Sequence, residues 1–306
     1  MSNDSARTLI CLAAYEGQAH IKEQIESLLH LTGVELKIVA SVDESNMSVK
    51  SETCRILEEY TVKDARLTVL PNIGRIGSAA LNFFRLISDT DIKEYEYLAL
   101  SDQDDIWGAD KLSAAIAQLK ATSADAYSSN VTAFWPSGKT KRISKAQPQV
   151  TNDFMFESAG PGCTFVLTRK LALNLQSFLI DHKRACKEVA LHDWFIYAFA
   201  RSRGYKWHID AASHMLYRQH SANVFGANIG AKAALARWQK LRAGWLRQQA
   251  ILLASILGYD NQWPIARMRR YGLLDRLFLI RNAFQLRRKW TDCLALAFYF
   301  LFPLKK

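Results

Sequence analysis

The sequence predicts an α/β fold: a mixed, mainly parallel sheet with helices on both faces, followed by a C-terminal helical appendage. Three observations carry that expectation. Apolar runs of strand length alternate with helical periodicity through the first 121 residues, the pattern of a parallel sheet covered on both sides. Acids or turn residues stand directly after several of those runs, on the sheet edge where such folds bind ligands. Positive charge is confined to one end. Residues 231–306 hold 15 Lys and Arg against three acids, a net of +12 in a chain of net +11, so residues 1–230 carry 25 bases and 26 acids.

The elements follow in order. Thr8–Ala14 is an apolar strand ending at Tyr15-Glu16-Gly17, and Ala19–Leu31 has helical spacing. Glu35–Val42 alternates, is rich in β-branched residues and ends at Asp43; a helix is expected over about Val49–Tyr60. Arg66–Leu70 is a short strand before the turn Pro71-Asn72-Ile73-Gly74, and Ser78–Ile87 is the next helix. Tyr95–Ser101 is the fourth strand, with a helix over Asp110–Ala121. Residues 124–219 are less regular, cut into short strands and loops by Pro136, Gly138, Pro148, Gly160, Pro161 and Gly162. Within them an amphipathic helix is expected over 191–203 and strands at Tyr205–Ile209 and Ser213–Arg218. A boundary near Gly226–Gly230 separates a main domain, 1–226, from a basic tail, 227–306; the main domain divides near residue 121 into two halves.

A chain of 306 residues that is 49% hydrophobic can bury a full core and is not a disordered polymer. Its five cysteines (Cys11, Cys54, Cys163, Cys186, Cys293) are odd in number, widely spaced and free of any C-x-x-C pair. That excludes a zinc ribbon or disulfide framework and points to a reducing compartment. The opening MSNDSARTLICLAAYEG has no basic segment before a long apolar one, so no secretory signal is expected.

The run LALSDQDDIW, residues 98–107, places Asp102, Asp104 and Asp105 where the fourth strand should end. Clustered carboxylates repel one another and lose hydration unless a cation or donor groups offset them. Oxygen ligands suit Mg²⁺ or Mn²⁺, which bind through one or two carboxylates plus phosphate oxygens. The plainer reading is an acidic loop before a helix, with Asp105 or Asp110 as its cap.

Taken in order, CLAAYEG, SVDES, PNIGRIGSAALNF, SDQDDIW, GPGCTF, HDW and YRQHSANVFG resemble family 2 glycosyltransferases with the GT-A fold. Among these the chain looks most like bacterial rhamnosyltransferase-like members that build surface polysaccharides, and the resemblance covers about residues 8–226. It implies a nucleoside-diphosphate sugar donor and a saccharide acceptor, lipid-linked or free. Ala13, Tyr15 and Glu16 would then line the nucleotide pocket, and Asp43 would face the base or ribose rather than serve only as a turn acid. The family often shows two adjacent acids where this chain has Val42-Asp43-Glu44-Ser45. Asn72, Gly74 and Arg75 would touch the donor. Asp102 would lie near the ribose, and Asp104 would ligate the divalent ion that bridges the diphosphate. Asp105 would bind sugar hydroxyls or cap the next helix, Lys111 would reach a phosphate, and Trp107 belongs either to the core or to a sugar face.

The resemblance further implies that Asp193 is the general base, taking the acceptor hydroxyl's proton as it attacks the anomeric carbon with inversion. The alternative for Asp193 is a helix N-cap. Gly160 and Gly162 would let backbone amides approach the acceptor, Trp194 would pack on a sugar ring, and Cys163 would only fill space. Arg218 would pair with phosphate oxygens, and His220 would complete the metal shell.

In the tail, Leu235, Trp238, Leu241, Trp245 and Leu252 follow helical spacing among basic residues, and Arg287, Arg288 and Lys289 precede the apolar run Cys293–Phe302. At ~1.5 Å per residue that run reaches about half of a ~30 Å hydrocarbon core, so it is not a spanning helix. Such helices either lie on an anionic membrane surface or pack on the main domain or a second subunit. The membrane is preferred, because a lipid-linked acceptor must be reached from the cytoplasm, at the inner face of a bacterial plasma membrane. Two other classes share some parts. A nucleotidyltransferase needs a Gly-rich basic loop that CLAAYEG lacks. A non-catalytic membrane or nucleic-acid module leaves the acids unexplained, and no nucleic-acid motif is present. The pattern leaves sugar and oligomeric state open.

Overall fold

The computed structural model describes residues 5–44, 50–219 and 244–303. Its first half alternates as expected: β1 (Ala6–Ala14), α1 (Ile21–Leu29), β2 (Val34–Val42), α2 (Glu52–Lys63), β3 (Leu67–Val69), α3 (Ala79–Asp89), β4 (Tyr97–Ser101). Local chemistry explains these elements. The first helix buries Ile21, Gln24, Ile25 and Leu28, one stripe of an amphipathic helix. Ser51 and Ser78 cap the next two by accepting from the amides of Cys54 and Leu81. In β1, Leu9, Cys11 and Ala13 join one core cluster while Ile10, Leu12 and Ala14 join another. Successive side chains of a strand point to opposite faces, so the two cores lie on opposite sides of the sheet.

β1 pairs in parallel with β2 on one side and β4 on the other, and β2 pairs with β3. The chain therefore moves outward from β1 to β3 and returns to β1's other side. That reversal opens a crevice at the carboxyl ends of β1 and β4, the place where open α/β sheets bind ligands.

Beyond β4 the sheet is mixed. Five strands and two helices come next: β5 (Ile106–Trp107), α4 (Lys111–Thr122), β6 (Ala126–Ser129), β7 (Val131–Phe134), β8 (Thr140–Ile143) and β9 (Val166–Thr168) lead to α5 (Arg169–Asp181). Then follow α6 (His192–Ser202), β10 (Trp207–Asp210) and β11 (Met215–Arg218). β9 runs antiparallel between β4 and β6, and β10 closes that edge. A second sheet, ordered β5-β11-β7-β8, fastens the segment after the acids to the end of the main domain. The helix α5 was not expected in the irregular middle. It buries Leu171, Ala172, Leu175 and Leu179, a stripe overshadowed in the sequence by the Pro and Gly punctuation before it.

The tail forms α7 (Trp245–Leu257), α8 (Trp263–Arg270), α9 (Leu273–Arg281) and α10 (Trp290–Leu301). Leu246, Ala250 and Leu253 of α7 share a core with Phe154, Trp194 and Phe195, so this helix packs on the main domain. The expected boundary at 226–230 lies outside the described residues, as do Leu235, Trp238 and Leu241. All five cysteines are free. Among the described residues no helix is long and apolar enough to cross a membrane.

Candidate active site

The crevice between β1 and β4 is fastened by Gln103, a residue the sequence reading passed over. Its Oε1 accepts from the Tyr15 amide at 2.7 Å and its Nε2 donates to the Tyr15 carbonyl at 2.8 Å. A carboxamide is the side chain that can serve a backbone N–H and C=O together, and that is the signal the Q of SDQDD carried. Beside it Glu16 takes a left-handed backbone (φ 47°), and a Cβ on Gly17 would fall 2.2 Å from Gln103 Oε1. The turn after β1 is thus shaped by the end of β4. Tyr15 is left open above a buried Ala13.

The acids behind Gln103 differ in setting. Asp105 is sealed: its Oδ1 accepts from the Arg218 amide at 3.2 Å, and its buried Oδ2 has no partner. Asp102 and Asp104 are half-buried. Burial, then the charges of Asp104 and Asp193, push Asp102 up to about 7, and burial, then the charges of Asp102 and Asp104, raise Asp105 well above the carboxylate range. The Cys163 thiol and the Tyr217 hydroxyl face this cluster, and burial raises both, so each stays protonated as a donor. Neither Asp105 nor Asp110 caps α4. Asp110 stands at the cap position, but its carboxylate turns to His214 Nδ1 at 3.0 Å.

Several expected ligand contacts are redirected. Lys111 is buried, its Nζ donating to the Cys163 carbonyl at 2.9 Å and standing 3.1 Å above the centre of the buried Trp107 ring. It supports the acid loop from beneath instead of reaching a phosphate, and burial draws its ammonium down to about 7. Trp107 accordingly belongs to the core. The Arg218 guanidinium donates to the Asp104 carbonyl at 2.8 Å, pairs with Glu23 and covers the Phe134 ring, so it braces the loop. Asp43 is occupied by a turn: its oxygens accept from the amides of Ile76 (2.6 Å) and Gly77 (2.8 Å). Asn72 Oδ1 accepts from the Gly74 amide, closing the same wall.

The facing wall carries Asp193 in the first turn of α6. Its Oδ1 accepts from the Trp194 amide at 2.7 Å, and burial raises it to about 6 against the opposing pull of Lys145 and Ser158. The charge of Asp193 raises Asp102, and His192 beside Asp193 meets Gly162 next to Cys163 of the acid cluster, so the two acids lie near one another. Gly160 (φ 150°) and Gly162 shape the loop below; a Cβ on Gly162 would lie 2.2 Å from Nε2 of the buried His192. Trp194 cannot reach a sugar. It is buried, its Nε1 donating to the Phe154 carbonyl at 2.9 Å and its ring packed near Trp245 of α7.

This wall is completed from the tail. Arg288, read in the sequence as one base of the tail's Arg287-Arg288-Lys289 run, is instead buried and donates to Asp153 Oδ2 (3.1 Å) and the Ser158 carbonyl (2.7 Å), while its amide donates to Glu157 Oε1 (2.7 Å). Ser158 in turn donates to the Gly160 carbonyl at 2.8 Å. Tail, loop and Asp193 form one chain of contacts.

The residues fit a hard divalent cation. Asp102, Asp105 and Cys163 bring ligand atoms within 4.8 Å of one another, and the orphaned Asp105 Oδ2 and mutual repulsion of the acids are what a cation would relieve. A protonated thiol is a poor ligand for such an ion, which leaves the carboxylates. His220 lies outside the described residues.

Comparison with known proteins agrees with this geometry. Residues 9–195 match the family described as Glycosyl transferase family 2. The chain is 39% identical over 282 residues to the dTDP-rhamnosyl transferase RfbG of Shigella flexneri, covering 92% of this chain and 96% of that protein. Among solved structures it is similar to S. aureus TarS 1–349, with TM-score 0.52, 15% identity, and coverage of 96% of this chain and 80% of that one. The same TarS fragment in complex with UDP-GlcNAc gives TM-score 0.53 at 13% identity, covering 95% and 83%. At that identity the likeness speaks for the fold. The nucleotidyltransferase and non-catalytic readings are set aside, and the chain belongs to glycosyltransferase family 2, with the GT-A fold.

Proposed function

We propose that this enzyme transfers rhamnose, with inversion, from a dTDP-activated donor to a saccharide on a polyprenyl-diphosphate carrier, in cell-surface polysaccharide synthesis at the cytoplasmic face of the membrane. The donor reading is supported by the relative named as a dTDP-rhamnosyl transferase. The observation that carries the reaction is the opposition of the acid cluster after β4 to Asp193 at the head of α6. Ala13, Tyr15 and Glu16 receive the nucleotide, and Asp102 accepts hydrogen bonds from the ribose. Asp104, beside the converging oxygens of Asp102 and Asp105, would with them hold Mg²⁺ or Mn²⁺, which when bound supplies Lewis-acid stabilisation of the leaving diphosphate. Asp193 removes the acceptor hydroxyl's proton. A base near pKa 6 is ionised at neutral pH yet basic enough to take it.

The test is thermal shift and donor hydrolysis against a panel of nucleotide-sugars with Mn²⁺ or Mg²⁺. A metal-dependent response to dTDP-rhamnose is expected, since a ligand of the native state raises its melting temperature. Asp104→Ala should abolish that response with the fold intact. Silence of the folded wild type across the panel, or normal turnover by Asp104→Ala, would overturn the reading.

A further inference from the structure

Among the described residues, the exposed large apolar side chains are concentrated in one place. Of fourteen exposed large hydrophobic side chains among the described residues, nine lie between Leu273 and Leu301. On α10, Trp290, Leu294, Phe298 and Leu301 recur every three or four residues and are 71%, 61%, 50% and 55% exposed, while Leu296, Tyr299 and Phe300 turn inward. On α9, Leu273, Leu274 and Leu277 are equally open. Single exposed leucines need no explanation; a whole helix face does. The two helices are held as a pair, because the Arg276 guanidinium donates to the Leu301 carbonyl at 2.8 Å.

Charge selects the occupant. Arg281 ends α9 and Lys289 precedes α10, and both are exposed. The acids of this end are mostly engaged: Asp275 is buried between Arg267 and Arg270, Asp260 is paired with Arg269, and the half-buried Asp292 of α10 accepts from the Thr291 hydroxyl. Apolar residues including a Trp, flanked by bare cations, match the interface of an anionic bilayer, where acyl chains meet phosphate headgroups. The helices are too short to span one.

We infer that the α9–α10 pair is a lipid-docking surface, inserting Trp290, Leu294, Phe298 and Leu301 into an anionic membrane interface while Arg281 and Lys289 hold headgroup phosphates. Its position suits the reaction. The segment joining the two helices contacts the acceptor loop through Gln285, whose carbonyl accepts from the Asn152 amide, and through Arg288. Docking therefore brings the bilayer to the acceptor wall. The inference gives named residues to the membrane part of the proposed function, and its test uses no catalysis, so its failure would leave the transferase reading standing.

The full chain is sedimented with phosphatidylcholine vesicles, with and without phosphatidylglycerol. Wild type is expected to bind the anionic vesicles and to weaken with salt. Leu294→Ser with Phe298→Ser should lose roughly tenfold or more in binding, and Arg281→Glu with Lys289→Glu should lose the preference for phosphatidylglycerol. Both variants should keep the wild-type melting temperature, since the altered side chains are exposed. Wild type that ignores all vesicles, or a Leu294→Ser/Phe298→Ser protein that binds as wild type does, would overturn the inference. So would a wild-type dimer that this pair of substitutions splits into monomers, because the face would then belong to a second copy.

Discussion

The two walls of the crevice are made in different ways. The wall we assign to the donor is a row of strand ends: the turn after β1, Asp43 after β2 and the acids after β4, knit by bonds such as that between Gln103 and Tyr15. The wall we assign to the acceptor is assembled from separate segments. Asp193 comes from α6, Ser158 from a loop, and Arg288 from the tail, whose bond to Asp153 joins residues 135 apart. A strand end announces itself by a short motif. A wall made of distant pieces is held by buried charge, and a single change in it should act on chemistry and folding together.

The sharpest way to break this contrast is Asp193→Asn. Losing the base should lower kcat by about 10²–10⁴. Stability should move the other way. The native pKa of Asp193 lies above its unfolded value because burial disfavours the ionised form, so between about 4 and 6 the native state holds the extra proton and stability falls as pH rises. Asn removes that cost, and unfolding at pH 7.5 should become harder by about 1–3 kcal/mol. In wild type, kcat/KM should fall as pH drops through about 6, with burial holding the transition up and the Trp194 amide and Lys145 pulling it down. Asn retaining activity, or destabilising the protein as the loss of a helix cap would, removes Asp193 from the reaction.

The next effect comes from the tail. Arg288 faces the buried Asp153 and Glu157, and Arg288→Ala strands those charges, with Arg201 and Tyr197 still holding Asp153. A loss of about 3 kcal/mol in denaturant unfolding is expected, at the lower end for a broken buried pair. Arg288→Lys keeps charge but not the fork, and should fold while raising the acceptor KM more than it alters donor hydrolysis. Equal effects on both half-reactions would mean that Arg288 only stabilises the fold.

The same contrast explains what could be read from the sequence. The alternation of the first half, the crevice and the acids after β4 were legible because each depends on a local period or a residue at a strand end. Side-chain direction was not. Lys111 and Trp194 sit in the right segments, yet one points beneath the acid loop and the other into the core shared with α7. Arg218 and Asp43 were expected at a ligand and instead hold the protein's own loops. Ser158 had no local signal and Arg288 read only as one base of the tail, since their roles in this wall exist only once the tail has folded back.

On the donor wall a small change should have a small and selective effect. Gly17→Ala places a methyl group where Gln103 Oε1 now sits, 2.2 Å away. Gln103 has an escape, because its carboxamide is partly exposed and can swing outward. The fold should therefore survive with a cost near 1 kcal/mol, about that of one hydrogen bond. Without the clamp the Tyr15-Glu16 turn is no longer held to the end of β4. The donor KM should rise about tenfold, the loss expected when ordering that turn must come from binding itself. The acceptor KM and the pH profile set by Asp193 should not move. Gln103→Ala should reproduce the donor defect, and adding Gly17→Ala to it should change little, because both remove one contact. Additive losses in the double variant would show that Gly17 meets the donor directly and that the clamp is not what shapes this wall.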